Sequence, residues 1–156
     1  MKLSKIFEEV MGEVHYTTEV DDDNVTISAI KDRNVIGKVS LEFVFDAYRE
    51  FEDVIESGEM TDQEYNSVFP NDRFVKIDYL NVIDSEKGNG HAKQLMQKAI
   101  YYAKEHGERV MYLNASPMGF KGLNINDLTG FYKTFGFKPL IDSGHNVEMF
   151  ANIWKI

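Results

Sequence analysis

The sequence predicts an α+β fold with one strand–helix–strand unit at its centre, and three stretches carry that expectation. Residues 15–45 alternate branched, strand-like runs with turn residues. Further on, between two more strand-like runs, Ala92, Leu95, Met96, Ala99, Ile100 and Ala103 recur at helical spacing. The chain then closes on two extended runs, "GFKPLI" and "VEMFANIW", separated by "DSGHN".

Each element has its own local reason. Leu3, Ile6, Phe7, Val10 and Met11 share one helical face, so residues 3–12 read as a short amphipathic helix. "HYTTEV" and "NVTISAI" flank the turn-forming "DDDN", and "NVIGKVSLEFVF" stays in strand mode to Phe45, which predicts an antiparallel three-strand meander. A polar helix follows, with Asp46 as its cap, Tyr48, Phe51, Val54 and Ile55 on one face, and Gly58 at its end. "TDQE", Thr61 to Glu64, is a capping-box pattern opening another short helix, which "FPND" breaks. "RFVKIDYLNVI", Arg73 to Ile83, is the strongest strand signal, rich in residues that suit a pleated surface. After the central helix Gly107 supplies a C-cap, "RVMYLNAS" is the next strand, and a short helix around "DLTGFYKTF" ends at Gly136.

Composition narrows the function. The 156 residues, 43% of them hydrophobic, can build the core of one domain spanning 1–156. The absence of cysteine excludes disulfides, thiolate zinc sites and a cysteine nucleophile, and fits an intracellular, cytoplasmic location. A net charge of −9 argues against a nucleic-acid partner, because phosphate backbones require a basic face. No run approaches the roughly 20 apolar residues of a membrane span, and the acidic start "MKLSKIFEEVMGEV" does not read as a signal segment. His15, His91, His106 and His145 are scattered, and Asp21, Asp22 and Asp23 lack the glycine and glutamate of a calcium loop, so no metal site is expected.

The stretch "VIDSEKGNGHAKQLM", residues 82–96, changes from strand to helix across Gly88 and Gly90. Glycine at a helix entrance removes side chains and lets backbone N–H groups face a large anion. A dinucleotide fingerprint would need a third glycine or alanine where Lys93 stands, and a P-loop would need Gly-Lys-Ser/Thr. Neither pattern is present.

With "IDYLNVIDSEKGNGHAKQLM" ahead of "GFYKTFGF", Gly130 to Phe137, the chain resembles the GNAT superfamily of N-acetyltransferases over about residues 73–156. The first stretch is similar to that family's Arg/Gln-x-x-Gly-x-Gly/Ala motif, and the second to its Phe-Tyr…Gly-Phe signature. The resemblance implies a mixed, mostly antiparallel twisted sheet flanked by helices. It also implies acetyl-CoA as acyl donor. Backbone around Leu80, Asn81 and Val82 would pair with the pantetheine arm, and amides of Lys87, Gly88, Asn89, Gly90, His91 and Ala92 would hold the diphosphate. His91 is expected to contribute only its backbone, and Asn126 is a further cofactor contact. Lys87 and Lys93 could add positive charge, or be ordinary solvated lysines.

The chain departs from the family in several places. Ser85 stands where Arg or Gln is usual, and Asp84 and Glu86 place negative charge beside an anion site. The usual helix pair between the first two strands is missing, the helical material lying instead at 46–69. The loop from Asn114 to Asp127 is longer than is typical.

Alternation along residues 75–83 puts Asp78, Leu80 and Val82 on one face and Ile77, Tyr79 and Asn81 on the other. Asp78 falls where many GNAT members carry a catalytic base, and Tyr132 matches the tyrosine that protonates the coenzyme A thiolate. Each also has a plain structural reading, as a solvated strand carboxylate and a core-capping phenol. The expected reaction is acetyl transfer from acetyl-CoA to an amine by direct attack. Glu50, Glu52, Asp53, Glu56 and Glu59 point to a cationic acceptor, a polyamine or a protein lysine. Two alternatives stand beside it: a non-catalytic GNAT-fold module that binds a protein partner, with or without coenzyme A, and an α+β protein whose glycines merely make a turn. The oligomeric state is open; the C-terminal "NIWKI" is a segment through which two copies could pair as a homodimer.

Overall fold

A computed structural model describes residues 13–117 and 124–156. The expected helix at 3–12 and the middle of the 114–127 loop lie outside the described residues.

The meander forms as expected. β1 (His15–Asp21), β2 (Asn24–Lys31) and β3 (Asn34–Val44) pair antiparallel through tight hairpins. Asp32 and Arg33 both take positive φ between β2 and β3, the backbone that two-residue hairpins require. Two helices follow, α1 (Ala47–Glu56) and α2 (Asp62–Val68), and then β4 (Phe74–Val82). The capping of α1 differs from expectation. Asp46 sits at the N-cap but its carboxylate turns to Arg49 at 3.5 Å, while Asp72 accepts from the Tyr48 amide at 2.9 Å. Thr61 does cap α2, accepting from the Glu64 amide at 3.1 Å.

The central unit runs from β4 through α3 (His91–Glu105) to β5 (Val110–Ala115), then α4 (Ile125–Lys133), β6 (Lys138–Asp142) and β7 (Val147–Asn152). The seven strands form one sheet in the order β1-β2-β3-β4-β5-β7-β6, parallel only at β4–β5. Because the last strand inserts beside β5, the closing hairpin leaves β6 at the edge.

Apolar residues divide between the two faces. Leu95, Met96, Ala99, Ile100 and Ala103 of α3, with Leu128 and Tyr132 of α4, pack on Val39, Leu41, Val75, Ile77 and Val82. On the other face Phe51, Met60, Tyr65 and Phe69 close over Phe74, Val110 and Tyr112. Phe74 and Val75 point oppositely, as a strand requires. That alternation fails at Asp78. Leu41 pairs with Ile77 and Ser40 with Tyr79, so Asp78 is the extra residue of a β-bulge. The bulge reverses parity, so Val75 and Ile77 share a core face with Leu80 and Val82. The expected single face for Asp78, Leu80 and Val82 is therefore corrected, because an inserted residue shifts the two-residue period by one.

Candidate active site

β4 and β5 pair only through Val75–Ile77 and Met111–Leu113, although β4 continues to Val82. Beyond Ile77 the strands part. Residues 79–82 keep β3 as partner on one side. On the other side a cleft of about 540 Å³ opens, lined by Leu80, Asn81 and Val82, by Lys87, Gly88, Gly90, His91 and Ala92, and by Leu128, Phe131 and Tyr132. A second cavity of about 380 Å³ lies beside it, lined by Asp78, Tyr79, Leu113, Asn114 and Ser116. Leu80, Asn81, Leu128 and Tyr132 line both.

The strand-to-helix junction explains its glycines. Gly88 and Gly90 have φ of +85° and +83°, where any other L-residue is strained, and a Cβ on either would meet no atom within 4 Å. Both glycines thus serve backbone shape and leave open space above it. Gly90 is the N-cap of α3, and among the described residues no side chain caps that helix. The N-termini of α2 and α4 differ, since Thr61 and Asn124 accept from their amides. An uncapped first turn carries the positive end of the helix dipole and has N–H groups to offer an anion.

The acidic flank is locally compensated. Glu86 Oε1 lies 2.9 Å from Lys31 Nζ, and its Oε2 accepts from Asn89 Nδ2 at 2.9 Å and sits 3.4 Å from His91 Nε2. Hydrogen bonds from Lys31 and Asn89 hold the Glu86 carboxyl down to about 2, so it is ionised at any ordinary pH. Asp84 pairs with Lys87 at 2.9 Å, which lowers its pKa. His91 therefore lines the cleft and also brings its ring to Glu86, where only its backbone was expected to take part.

The bulge carries Asp78 into the smaller cavity, where partial burial raises its pKa. Lys76 at 3.8 Å pulls it back down, while Glu50 raises it further. Tyr132 is 8% exposed, and burial lifts its phenol to about 12. Tyr112 donates to Glu148, and Glu50 acts on that phenol too.

Most of the expected residues gather here; two do not. Asn89 binds Glu86 and Asn126 is exposed on α4, and neither lines the cleft or the smaller cavity beside it. Asp127, Leu128 and Phe131 line the cleft instead. Their signal was the spacing on α4: Leu128 precedes Tyr132, and Asp127 precedes Phe131, by one helical repeat.

The sequence profile of the acetyltransferase (GNAT) family matches residues 3–137. The chain belongs to that family. The family is one of acetyltransferases, and the sheet and helices of this chain form the GNAT fold. No curated protein matches it in sequence. Similar solved structures include Arabidopsis thaliana NAA60 in complex with acetyl-CoA, at 20% identity, covering 83% of this chain and 75% of that one, TM-score 0.56. Arylalkylamine N-acetyltransferase 2 from Aedes aegypti is 17% identical, covering 82% and 73%, TM-score 0.57. PaiA N-acetyltransferase from Thermoplasma acidophilum, in complex with coenzyme A, is 16% identical over 83% of this chain, TM-score 0.54. The GNAT chain described here spans 61% of that protein's length. At such identities the likeness is one of fold. Among the described residues, no helix is long and apolar enough to cross a membrane.

Proposed function

We propose that the protein moves an acetyl group from acetyl-CoA to a cationic amine, a polyamine or a protein lysine, by direct attack. One observation carries this reading. Asp78 and Tyr132 share a cavity whose walls at Leu80, Asn81 and Tyr132 continue into the cleft at the uncapped start of α3.

Acetyl-CoA supplies the acetyl group as an activated thioester. Amides between Lys87 and Ala92 hold its diphosphate, where the helix dipole contributes about 0.3–1 kcal/mol. Backbone at Leu80–Val82 pairs with the pantetheine arm as an added strand would. Asp78 takes the proton that an ammonium acceptor must lose before its lone pair can attack. A C–N bond then forms as the C–S bond breaks, and the second proton that the nitrogen loses ends on the released thiolate. Tyr132 presents its phenolic hydrogen to the departing sulfur. Since burial holds that phenol at about 12, above the roughly 8.5 of a thiol, the hydrogen bond and not complete transfer does the stabilising.

The cationic acceptor is supported by α1. Glu50 acts on both Asp78 and Tyr112, so this helix extends negative potential toward the cavity that holds Asp78, with Glu52, Asp53 and Glu56 further along it and Glu59 beyond its end. The non-catalytic alternative rests on Ser85 and the acidic flank, and the pairing of Glu86 with Lys31 and of Asp84 with Lys87 weakens the second of these. Two measurements test the proposal. Acetyl-CoA at a hundredfold its Kd should stabilise the protein by about 2.7 kcal/mol, and no shift would favour the non-catalytic module. Initial rates with polyamines, lysine peptides, neutral arylamines and anionic amino acids should rank the polycations first; preference for neutral or anionic amines would remove the cationic acceptor.

A further inference from the structure

Glu86 belongs to the acidic flank of the anion site, yet it is built in. Its side chain is 12% exposed, against 95% for Asp84 two residues earlier. Its two oxygens gather three separate parts of the chain: Lys31 at the end of β2, Asn89 between the two glycines, and His91 at the first position of α3. The glycines on either side of Asn89 have positive φ and no side chains to anchor them. A Gly-x-Gly turn has the greatest backbone freedom, and it loses that freedom when a ligand fixes it. A carboxylate that already holds the residue between the glycines and the residue after them lowers that loss. Lys31 offsets the negative charge this anchor brings toward an anion.

We infer that Glu86 is a positioning residue: it holds the Gly88–Gly90 turn with its amides facing the cleft, and Lys31 compensates its charge. The inference rests on reading this turn as the diphosphate site. It assigns Glu86 no contact with the reacting atoms.

The test compares wild type, Glu86→Ala and Glu86→Gln. Titration calorimetry gives Kd for acetyl-CoA. Steady-state rates give kcat and KM for acetyl-CoA and for S-acetylpantetheine, which carries the thioester without the diphosphate. Melting followed on Trp154 reports whether each variant folds. Glu86→Ala should raise Kd and KM for acetyl-CoA about tenfold, keep kcat within about twofold, and leave kcat/KM for S-acetylpantetheine unchanged. Glu86→Gln keeps an acceptor for Asn89 and should fall between the two; it decides alone if the alanine variant does not fold. An unchanged Kd, or an equal loss with both donors, would overturn the role of Glu86 while leaving the turn's assignment intact. A wild-type protein that binds no acetyl-CoA would defeat the assignment of the turn, and this inference with it.

Discussion

Asp78 and Tyr132 meet across one cavity, the first delivered by a bulge in β4 and the second by the buried face of α4. Burial raises both, and the consequences differ. A carboxyl lifted from its ordinary range is a better base once ionised, while a phenol at about 12 keeps its proton throughout the physiological range.

Replacing Tyr132 by Phe should lower kcat roughly 10²-fold with Kd for acetyl-CoA little changed, because the donor acts only as charge develops on sulfur. Thiol release against amine concentration measures it. A kcat within about twofold of wild type would remove Tyr132 from the mechanism.

The acid limb of kcat/KM should report Asp78, with an inflection above the ordinary carboxylate value of 3.8. Glu50→Gln removes one cause of the raised pKa, so the limb should move to lower pH. The stability effect has the opposite sense to that of a paired carboxylate. With its folded pKa raised, Asp78 binds a proton more tightly in the native state, so stability falls as pH rises through the window between its unfolded and folded values. Asp78→Asn should therefore abolish the acid limb and most activity without lowering Tm at neutral pH. A lowered Tm would mark Asp78 as structural.

Three glycines should respond differently to alanine. Gly88→Ala and Gly90→Ala force a left-handed backbone on a residue with a Cβ, at about 1–2 kcal/mol each. Gly130 lies inside α4 with ordinary φ and open space, so Gly130→Ala should stabilise by about 0.4–1 kcal/mol. Urea denaturation resolves the two signs. Equal effects at all three positions would contradict the conformational reading.

Gly37 on β3 reaches the site from behind. A Cβ there would lie 3.0 Å from the Asn81 carbonyl oxygen and 3.0 Å from Leu95 Cδ1. The first is backbone of the cleft wall and yields little. Gly37→Ala should cost about 1–3 kcal/mol and weaken acetyl-CoA binding as well. A loss of stability with unchanged Kd would show that the Leu80–Val82 segment does not hold the donor.

The parts legible in the sequence are those written locally. The α3 stripe, the glycine pair and the Tyr132 signature each depend on spacings of a few residues, and the structure sets them beside one cleft. What escaped was non-local or conformational. No residue type marks the bulge at Asp78, because it arises from the register between β3 and β4. The acidic flank read as a liability until the fold brought Lys31 to Glu86 from 55 positions away. The family resemblance points to Asn126, whereas the turn of α4 gives the cleft Asp127 and Phe131.

The central claim is that the Gly88–Gly90 junction holds a diphosphate while the freed edge of β4 holds the arm behind it. A crystal structure of the protein with acetyl-CoA tests this most directly. Diphosphate oxygens should lie within hydrogen-bond distance of amides between Lys87 and Ala92, and the thioester between Asp78 and Tyr132. A donor bound elsewhere, with that junction unoccupied, would contradict it.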